Sequence, residues 1–175
     1  MNILVCISCV PDTTSKINFK EGNSSFDSQG VQFVINPNDE FGLTRAIWLQ
    51  QKLGAKVTVV TVGDESCDPI LRKGLAIGAD QAIRINVEPR DGFQVASVLS
   101  TICKDKNYDL IITGRESIDY NGGMVPGMIS AFTEINFIDK CIDLNISGDS
   151  VEASREIEGG KENISTKLPL IIGGQ

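Results

Sequence analysis

The strongest constraint on this chain is the regular return of short apolar runs separated by stretches of helical spacing. Residues 2–10 (Asn-Ile-Leu-Val-Cys-Ile-Ser-Cys-Val) are aliphatic and β-branched with little polar alternation, which fits a strand covered on both faces. Residues 56–62, 81–87 and 108–113 supply three more strands of this kind. Between them, apolar or small residues recur every three or four positions. Leu43, Ala46, Ile47, Leu49 and Leu53 form one stripe; Cys67, Ile70, Leu71, Gly74, Leu75 and Gly78 form a second. Residues 94–104 and 122–134 also read as helical. Strands alternating with helices imply right-handed βαβ units. The expected fold is therefore a doubly wound α/β sandwich around a mostly parallel sheet.

Local signals set the boundaries. Asn36 suits a helix N-cap, Pro37 suits the first helical position, and Asp39 and Glu40 complement the positive helix end, while Gly54 stops the helix. Residues 16–19 and 31–35 read as extended segments flanking a Gly/Asn/Ser/Asp-rich excursion. From Phe137 onward the pattern becomes strand, turn, strand, with turns at residues 147–149 and 158–160. That predicts an antiparallel extension on one sheet edge. At 175 residues, residues 1–175 are expected to form one domain.

Composition removes whole classes of chemistry. The chain has no histidine, which excludes Ser-His-Asp and Cys-His catalysis and any His-based metal site. Five cysteines without a secretory signal read as reduced thiols. Cys6 and Cys9 have CxxC spacing, but no second CxxC and no histidine accompany them, so they read as two unpaired thiols. A net charge of −7 spread along the chain opposes a phosphate-backbone interface, and nucleic-acid binding is not expected. No apolar run approaches the length of a bilayer span, and the opening Met-Asn-Ile-Leu-Val-Cys lacks a basic leader region. A cytoplasmic location without membrane insertion is the expectation.

In open α/β sheets, ligands sit beyond the carboxyl ends of the strands, which selects residues 6–12, 36–39, 62–64 and 114–124. The last segment, Gly-Arg-Glu-Ser-Ile-Asp-Tyr-Asn-Gly-Gly-Met, carries the most information. Gly114 permits a tight exit, Ser117 offers a hydroxyl, and Gly122 and Gly123 let backbone N–H groups approach an anion at a helix start. It is neither a Walker loop nor GxGxxG. Arg115 and Glu116 suit either phosphate or ribose contact or a solvated ion pair, and Asp119 sits beside the glycines. Trp48 reads as packing or subunit contact.

Four segments together resemble the electron-transfer flavoprotein β subunit family: ILVCISCVPDT at residues 3–13, INPNDEFGL at 35–43, GRESIDYNGGMVPG at 114–127 and ASREIEGGKENISTKLPLII at 153–172. In the last, Arg155, Glu158, Gly159, Gly160, Glu162, Ile164 and Pro169 hold the family's signature positions in order. The resemblance implies an adenine-nucleotide-binding, Rossmann-like fold and a β subunit that buries AMP and pairs with an FAD-carrying α subunit. It implies an electron carrier, not an enzyme, that relays electrons from acyl-CoA and related dehydrogenases of fatty acid oxidation to a membrane quinone reductase. The implied nucleotide contacts are Cys6, Asn36, Pro37, Asn38, Asp39 and Val62, together with Gly114, Arg115, Glu116, Ser117, Ile118, Asp119, Tyr120, Asn121, Gly122, Gly123, Met124 and Val125. The flavin would come nearest to this chain at Val10, Pro11, Asp12 and Thr13.

Residues 120–124 depart from the family's usual acidic and Thr/Ala/Gln-rich stretch, and Gly173 stands where a small residue or Thr is usual. The family continues past Gln175 through a dehydrogenase-recognition segment and a tail that wraps the α subunit, so the chain reads as C-terminally truncated. A bifurcating member with a second FAD in place of AMP is an open alternative. A stand-alone adenine-nucleotide-binding module is another, either an ATP pyrophosphatase relative or a homodimeric stress-type module. The first-strand loop Ser8-Cys9-Val10-Pro11 lacks the Ser-Gly-Gly type loop of the pyrophosphatases, and the 153–172 signature speaks against the stress-type module.

Overall fold

The computed structural model describes the backbone of residues 1–175 and all side chains except that of Glu21. In chain order the elements are β1 (Asn2–Cys6), β2 (Cys9–Pro11), β3 (Phe33–Ile35), α1 (Pro37–Leu53), β4 (Lys56–Val62), α2 (Asp68–Ile77), β5 (Gln81–Ile85), α3 (Gly92–Asp105), β6 (Leu110–Gly114), α4 (Val125–Thr133), β7 (Asn136–Ser147), β8 (Ser150–Ile157), β9 (Gly160–Lys167) and β10 (Leu170–Gly174). Eight strands form one sheet in the order β5-β4-β1-β6-β10-β7-β8-β9. The pairs from β5 through to β7 are parallel; β7, β8 and β9 pair antiparallel. This is the expected mostly parallel α/β sandwich with an antiparallel edge.

Both faces of the sheet are covered. Ile3 and Val5 of β1 pack with Leu43 and Ile47 of α1 and Ile70 and Leu71 of α2. Leu4 and Cys6 turn the other way, toward Ala96 and Leu99 of α3 and Ile129 of α4. Strand periodicity of two thus divides one aliphatic run between two cores.

Four expectations need correction. The run at residues 2–10 is two strands. After Cys6 the chain leaves the sheet, and β2 pairs antiparallel with β3 in a separate two-stranded ribbon that matches Cys9 with Ile35. Apolar composition could not reveal this exit, because both strands are covered. The second correction concerns Leu53 and Leu75, assigned to buried stripes, which are exposed; Leu53 is the last helical residue before the left-handed Gly54 at φ 66°. Third, the helix expected from residue 122 begins at Val125, because Asn121 has a positive φ of 55° and Pro126 fits only the first turn. Finally, the antiparallel arm joins the main sheet through β10, which lies between β6 and β7 and runs parallel to both.

Helix α1 lies very close to the sheet at Gly42, where a Cβ would stand 2.7 Å from Cγ2 of Ile112. Ile112 is fully buried in β6, and its branched side chain has little room to turn. Gly42→Ala should destabilise the fold by about 1–3 kcal/mol through overpacking, outweighing a helix-propensity gain of about 1 kcal/mol. Denaturant unfolding of the variant against wild type measures the balance; equal or higher stability would show that α1 can move off the sheet.

Candidate functional site

The chain runs from β1 to β4 and β5 on one side, then crosses to β6 on the other. The order therefore reverses at β1, and the loops after β1 and β6 diverge to leave a crevice at the carboxyl end. A cavity of about 680 Å³ occupies that position, a volume within the range of small-molecule sites. All four loops selected from the sequence reach it: Cys6 to Val10, Asn36 with Asp39, Val62, and the segment from Gly114 to Val125.

Asp39 holds the crevice in shape. Its Oδ2 accepts the Ser8 N–H at 2.8 Å and its Oδ1 accepts the Gly114 N–H at 2.7 Å, so one carboxylate ties the exits of β1 and β6 together. Gly114 is required for this approach, since a Cβ there would stand 2.5 Å from Asp39 Oδ1 and 2.8 Å from Asn38 Cβ. The side chain is buried, and burial raises its pKa to about 6 against the lowering effect of both N–H bonds.

Asn36 does take the position before α1, yet its side chain does not cap the helix. Its Nδ2 donates to the Glu116 carbonyl at 2.9 Å and its Oδ1 accepts from the Ile118 N–H at 3.2 Å. Asn38 Nδ2 donates to the same Glu116 carbonyl at 3.0 Å. Two amides at the start of α1 thus position the glycine-rich loop, a role that a capping signature cannot express.

The selected residues fall into two layers. Cys6, Asn36, Asp39, Val62, Gly114, Glu116, Ser117, Asp119, Tyr120, Gly122, Met124 and Val125 line the cavity. Pro37, Asn38, Arg115, Ile118, Asn121 and Gly123 stand behind it. The Arg115 guanidinium binds Glu116 Oε1 at 3.0 Å and also reaches Gln175 and Glu156, so the ion-paired alternative describes it. Asp119 Oδ1 accepts the N–H of Tyr120 at 3.0 Å. Ser117 donates its N–H to the Gly122 carbonyl at 3.2 Å, while its buried Oγ has no hydrogen-bond partner among the described residues.

Sequence reasoning missed the loop after β5. Pro89, Arg90, Asp91 and Gly92 all line the cavity, and Asp91 caps α3 by accepting the Gln94 N–H at 2.7 Å. The carboxyl-end rule applied to β5 would have selected them, along with the Asp-Gly pair that opens a helix.

The CxxC pair is divided. Cys6 packs in the core beneath α3 and α4, whereas Cys9 packs against the core on the opposite side. All five cysteines are free thiols. Among the described residues no group of three or more His, Cys, Asp or Glu side chains is placed to hold a metal, and no helix is long and apolar enough to cross a membrane.

The raised pKa of Asp39 fixes the sign of a pH effect. Between its ordinary value of 3.8 and about 6, the folded state holds a proton that the unfolded state releases, so this group's contribution is full below that window and is lost as pH rises through it. The stability of wild type minus that of Asp39→Asn should therefore fall by on the order of 3 kcal/mol from pH 4 to pH 7. Denaturant titrations across that range measure it, and a difference that does not change with pH would contradict the assignment.

Comparison with known proteins gives this architecture relatives. The family model for the electron transfer flavoprotein domain matches residues 24–172. The "Electron transfer flavoprotein subunit beta" of Bacillus subtilis is 37% identical over 100% of this chain and 69% of its own length. "Protein FixA" of Azotobacter vinelandii is 32% identical over 98% of this chain and 64% of its own, and the human "Electron transfer flavoprotein subunit beta" is 29% identical over 98% and 70%. The chain thus spans roughly two thirds of the length of these relatives. A match over most of the chain, together with the sheet order and the crevice at β1, establishes that the chain belongs to the electron transfer flavoprotein family, as a member of its β subunit and FixA group.

Proposed function

We propose that this chain is the nucleotide-holding subunit of a heterodimeric electron carrier and that its cavity takes AMP. The observation that carries this reading is the partnerless, buried Ser117 Oγ in a glycine-rich loop on the cavity wall. A buried hydroxyl without a partner costs about 1–3 kcal/mol, and a bound phosphate would satisfy it. Helix α4, immediately downstream, has neither a side-chain cap nor an acidic residue in its first turn. Pro126 has no N–H and the Met128 N–H bonds to the Met124 carbonyl, which leaves the Val125 and Gly127 N–H groups of the first turn for an anion.

The remaining lining fits the rest of a mononucleotide. Val62, Val95 and Leu99 offer an apolar wall for a base, and among the described residues Arg90 is the only basic side chain on the cavity surface. Of the two acids in the loop, Glu116 is ion-paired with Arg115 and Asp119 accepts the Tyr120 N–H. Backbone groups supply most of the recognition, so the unusual side chains at residues 120–124 are compatible with the same ligand.

On this reading the partner is an FAD-carrying α subunit, and the electrons pass from acyl-CoA dehydrogenases to a membrane quinone reductase. The flavin, when bound in the heterodimer, supplies the one-electron chemistry. This chain contributes position. Asp12 Oδ1 accepts both the N–H and the Oγ1 hydroxyl of Thr14, at 2.8 and 2.6 Å, and the Asp12 N–H donates to the Gln32 carbonyl at 2.8 Å. The edge offered to the flavin, from Val10 to Thr13, is thereby held by the β2–β3 ribbon.

Two measurements test the reading. Replacing Gly122 and Gly123 with Val should empty the purified protein of AMP while leaving its far-UV spectrum intact. A Cβ at Gly122 would meet the Tyr120 ring at 2.4 Å, and one at Gly123 would approach the Arg115 carbonyl at 3.1 Å, so the loop must open. Unchanged AMP content would refute the phosphate assignment. Separately, the 175-residue chain alone should be folded and colourless even with added FAD, because one edge cannot bury so large a ligand. Coexpressed with an α subunit, it should yield one FAD and one AMP per heterodimer. Two FAD and no AMP would replace the carrier reading with the bifurcating one.

A further inference from the structure

Three exposed asparagines, Asn23, Asn107 and Asn121, share a left-handed backbone, with φ of 53°, 47° and 55°. They differ in the residue that follows. Ser24 and Tyr108 bring a side chain, Gly122 brings none, and Asn121 is the one asparagine in the chain that precedes a glycine. A peptide nitrogen with no Cβ beside it is the least hindered nucleophile the backbone offers. We propose that Asn121 is a modification site: the Gly122 nitrogen closes onto its side-chain amide, and hydrolysis of the ring leaves aspartate or isoaspartate in the glycine-rich loop.

The loop is tied on either side of this bond and not at it. The Ile118 N–H donates to Asn36 Oδ1 at 3.2 Å, the Ser117 N–H to the Gly122 carbonyl at 3.2 Å, and the Tyr120 N–H to Asp119 Oδ1 at 3.0 Å. Among the described residues, none of the loop's hydrogen bonds engages the Asn121 side chain or the Gly122 N–H. Asn121 is exposed, so hydroxide and water reach it. The glycine is also fixed by its surroundings, because a Cβ on Gly122 would collide with the Tyr120 ring. The residue that lets the loop fold is therefore the one that bares the nitrogen. The chain's single Asp-Gly pair, Asp91-Gly92, could close the same ring but is held: Asp91 Oδ1 accepts the Gln94 N–H at 2.7 Å, and Gly92 is buried as the first residue of α3.

The step balances without an oxidant. Hydroxide removes the Gly122 N–H proton, and the nitrogen attacks Cγ of Asn121. The new N–Cγ bond forms as the Cγ–Nδ2 bond breaks, and Nδ2 departs as ammonia with a proton from water, which regenerates the hydroxide. Water then opens the cyclic imide. Opening at Cγ gives aspartate; opening at the main-chain carbonyl gives isoaspartate, whose backbone runs through Cβ and Cγ. One water enters, one ammonia leaves, and no electrons are exchanged.

Either product puts a carboxylate where a neutral amide stood, in the loop assigned above to a phosphate. Isoaspartate also lengthens the backbone next to the Gly122 carbonyl that the Ser117 N–H holds. The loop thus loses affinity for an anion as the protein ages, whereas a bound phosphate accepting the Gly122 N–H keeps that nitrogen from attacking. This consequence, unlike the modification itself, rests on the nucleotide reading.

To test it, the full chain, stripped of nucleotide, is held in warm, mildly alkaline buffer and sampled over days. Peptide mapping by mass spectrometry reads the amide-to-acid change at each asparagine, and methyl transfer from S-adenosylmethionine by an isoaspartyl methyltransferase counts isoaspartate. Asn121 should convert about tenfold or more faster than Asn23 and Asn107, which carry the same backbone twist before a residue with a Cβ. Its rate should rise with pH and match that of the denaturant-unfolded chain to within about tenfold, and Asn121→Gln should remove most of the isoaspartate. An intact Asn121, faster conversion at Asn23, Asn107 or Asp91, or a folded rate far below the unfolded one would each overturn the proposal; the wild-type map decides even if a variant does not fold. Asn121→Asp should weaken AMP binding about tenfold through the added charge, and saturating AMP should slow conversion several-fold. If AMP binds and conversion proceeds unchanged, the phosphate assignment falls and the modification site stands; if AMP binds and Asn121 never converts in its absence, the site alone falls.

Discussion

The site depends on a single buried carboxylate. Asp39 accepts N–H groups from the two strand exits that bound the crevice, at 2.7 and 2.8 Å, and no other described side chain bonds to both. In a parallel sheet the carboxyl ends of adjacent strands present N–H groups that the ladder does not use, and two of them converging in a buried spot call for a shared acceptor. The Asp39 side chain is that acceptor, and in filling the role it fixes where β1 leaves the sheet and where β6 turns into its glycine-rich loop. Asn36 and Asn38 extend the same arrangement by one layer, holding the loop through the Glu116 carbonyl and the Ile118 N–H. The segment from Asn36 to Asp39, which reads as an ordinary helix start, is thus a bracket between two loops.

Much of the fold was legible because periodicity and punctuation agree. The parallel strands follow uninterrupted aliphatic runs, the helices follow three- and four-residue spacing, and Gly54 ends its helix where expected. What was not legible depends on pairing at long range. The break after Cys6 follows from Asp39 capturing the Ser8 N–H, and nothing in the local run marks it. The cavity wall was legible loop by loop: loops rich in Gly, Asn and Ser were recognisable by chemistry, and Arg90 and Asp91 needed only the carboxyl-end rule extended to β5, which lies beside β4. The cysteine spacing was misleading for a related reason. Three residues along a strand that then leaves the sheet put Cys6 and Cys9 in different cores.

The placement of β10 bears on how the molecule comes into being. Among the described strands, β10 alone joins the parallel body to β7 by ladder pairing, and it pairs with residues 110–114, some 60 positions earlier. Contacts of such sequence separation carry a high loop-closure entropy and are slow to form. During synthesis, β6 would leave the ribosome with an open edge of Leu110, Ile111 and Ile112, and that edge stays uncovered until Leu170, Ile171 and Ile172 arrive. Such an edge invites pairing with another chain. The interval between those two triplets is the period in which a nascent copy is most exposed to aggregation, and in which a chaperone would have the most apolar backbone to bind.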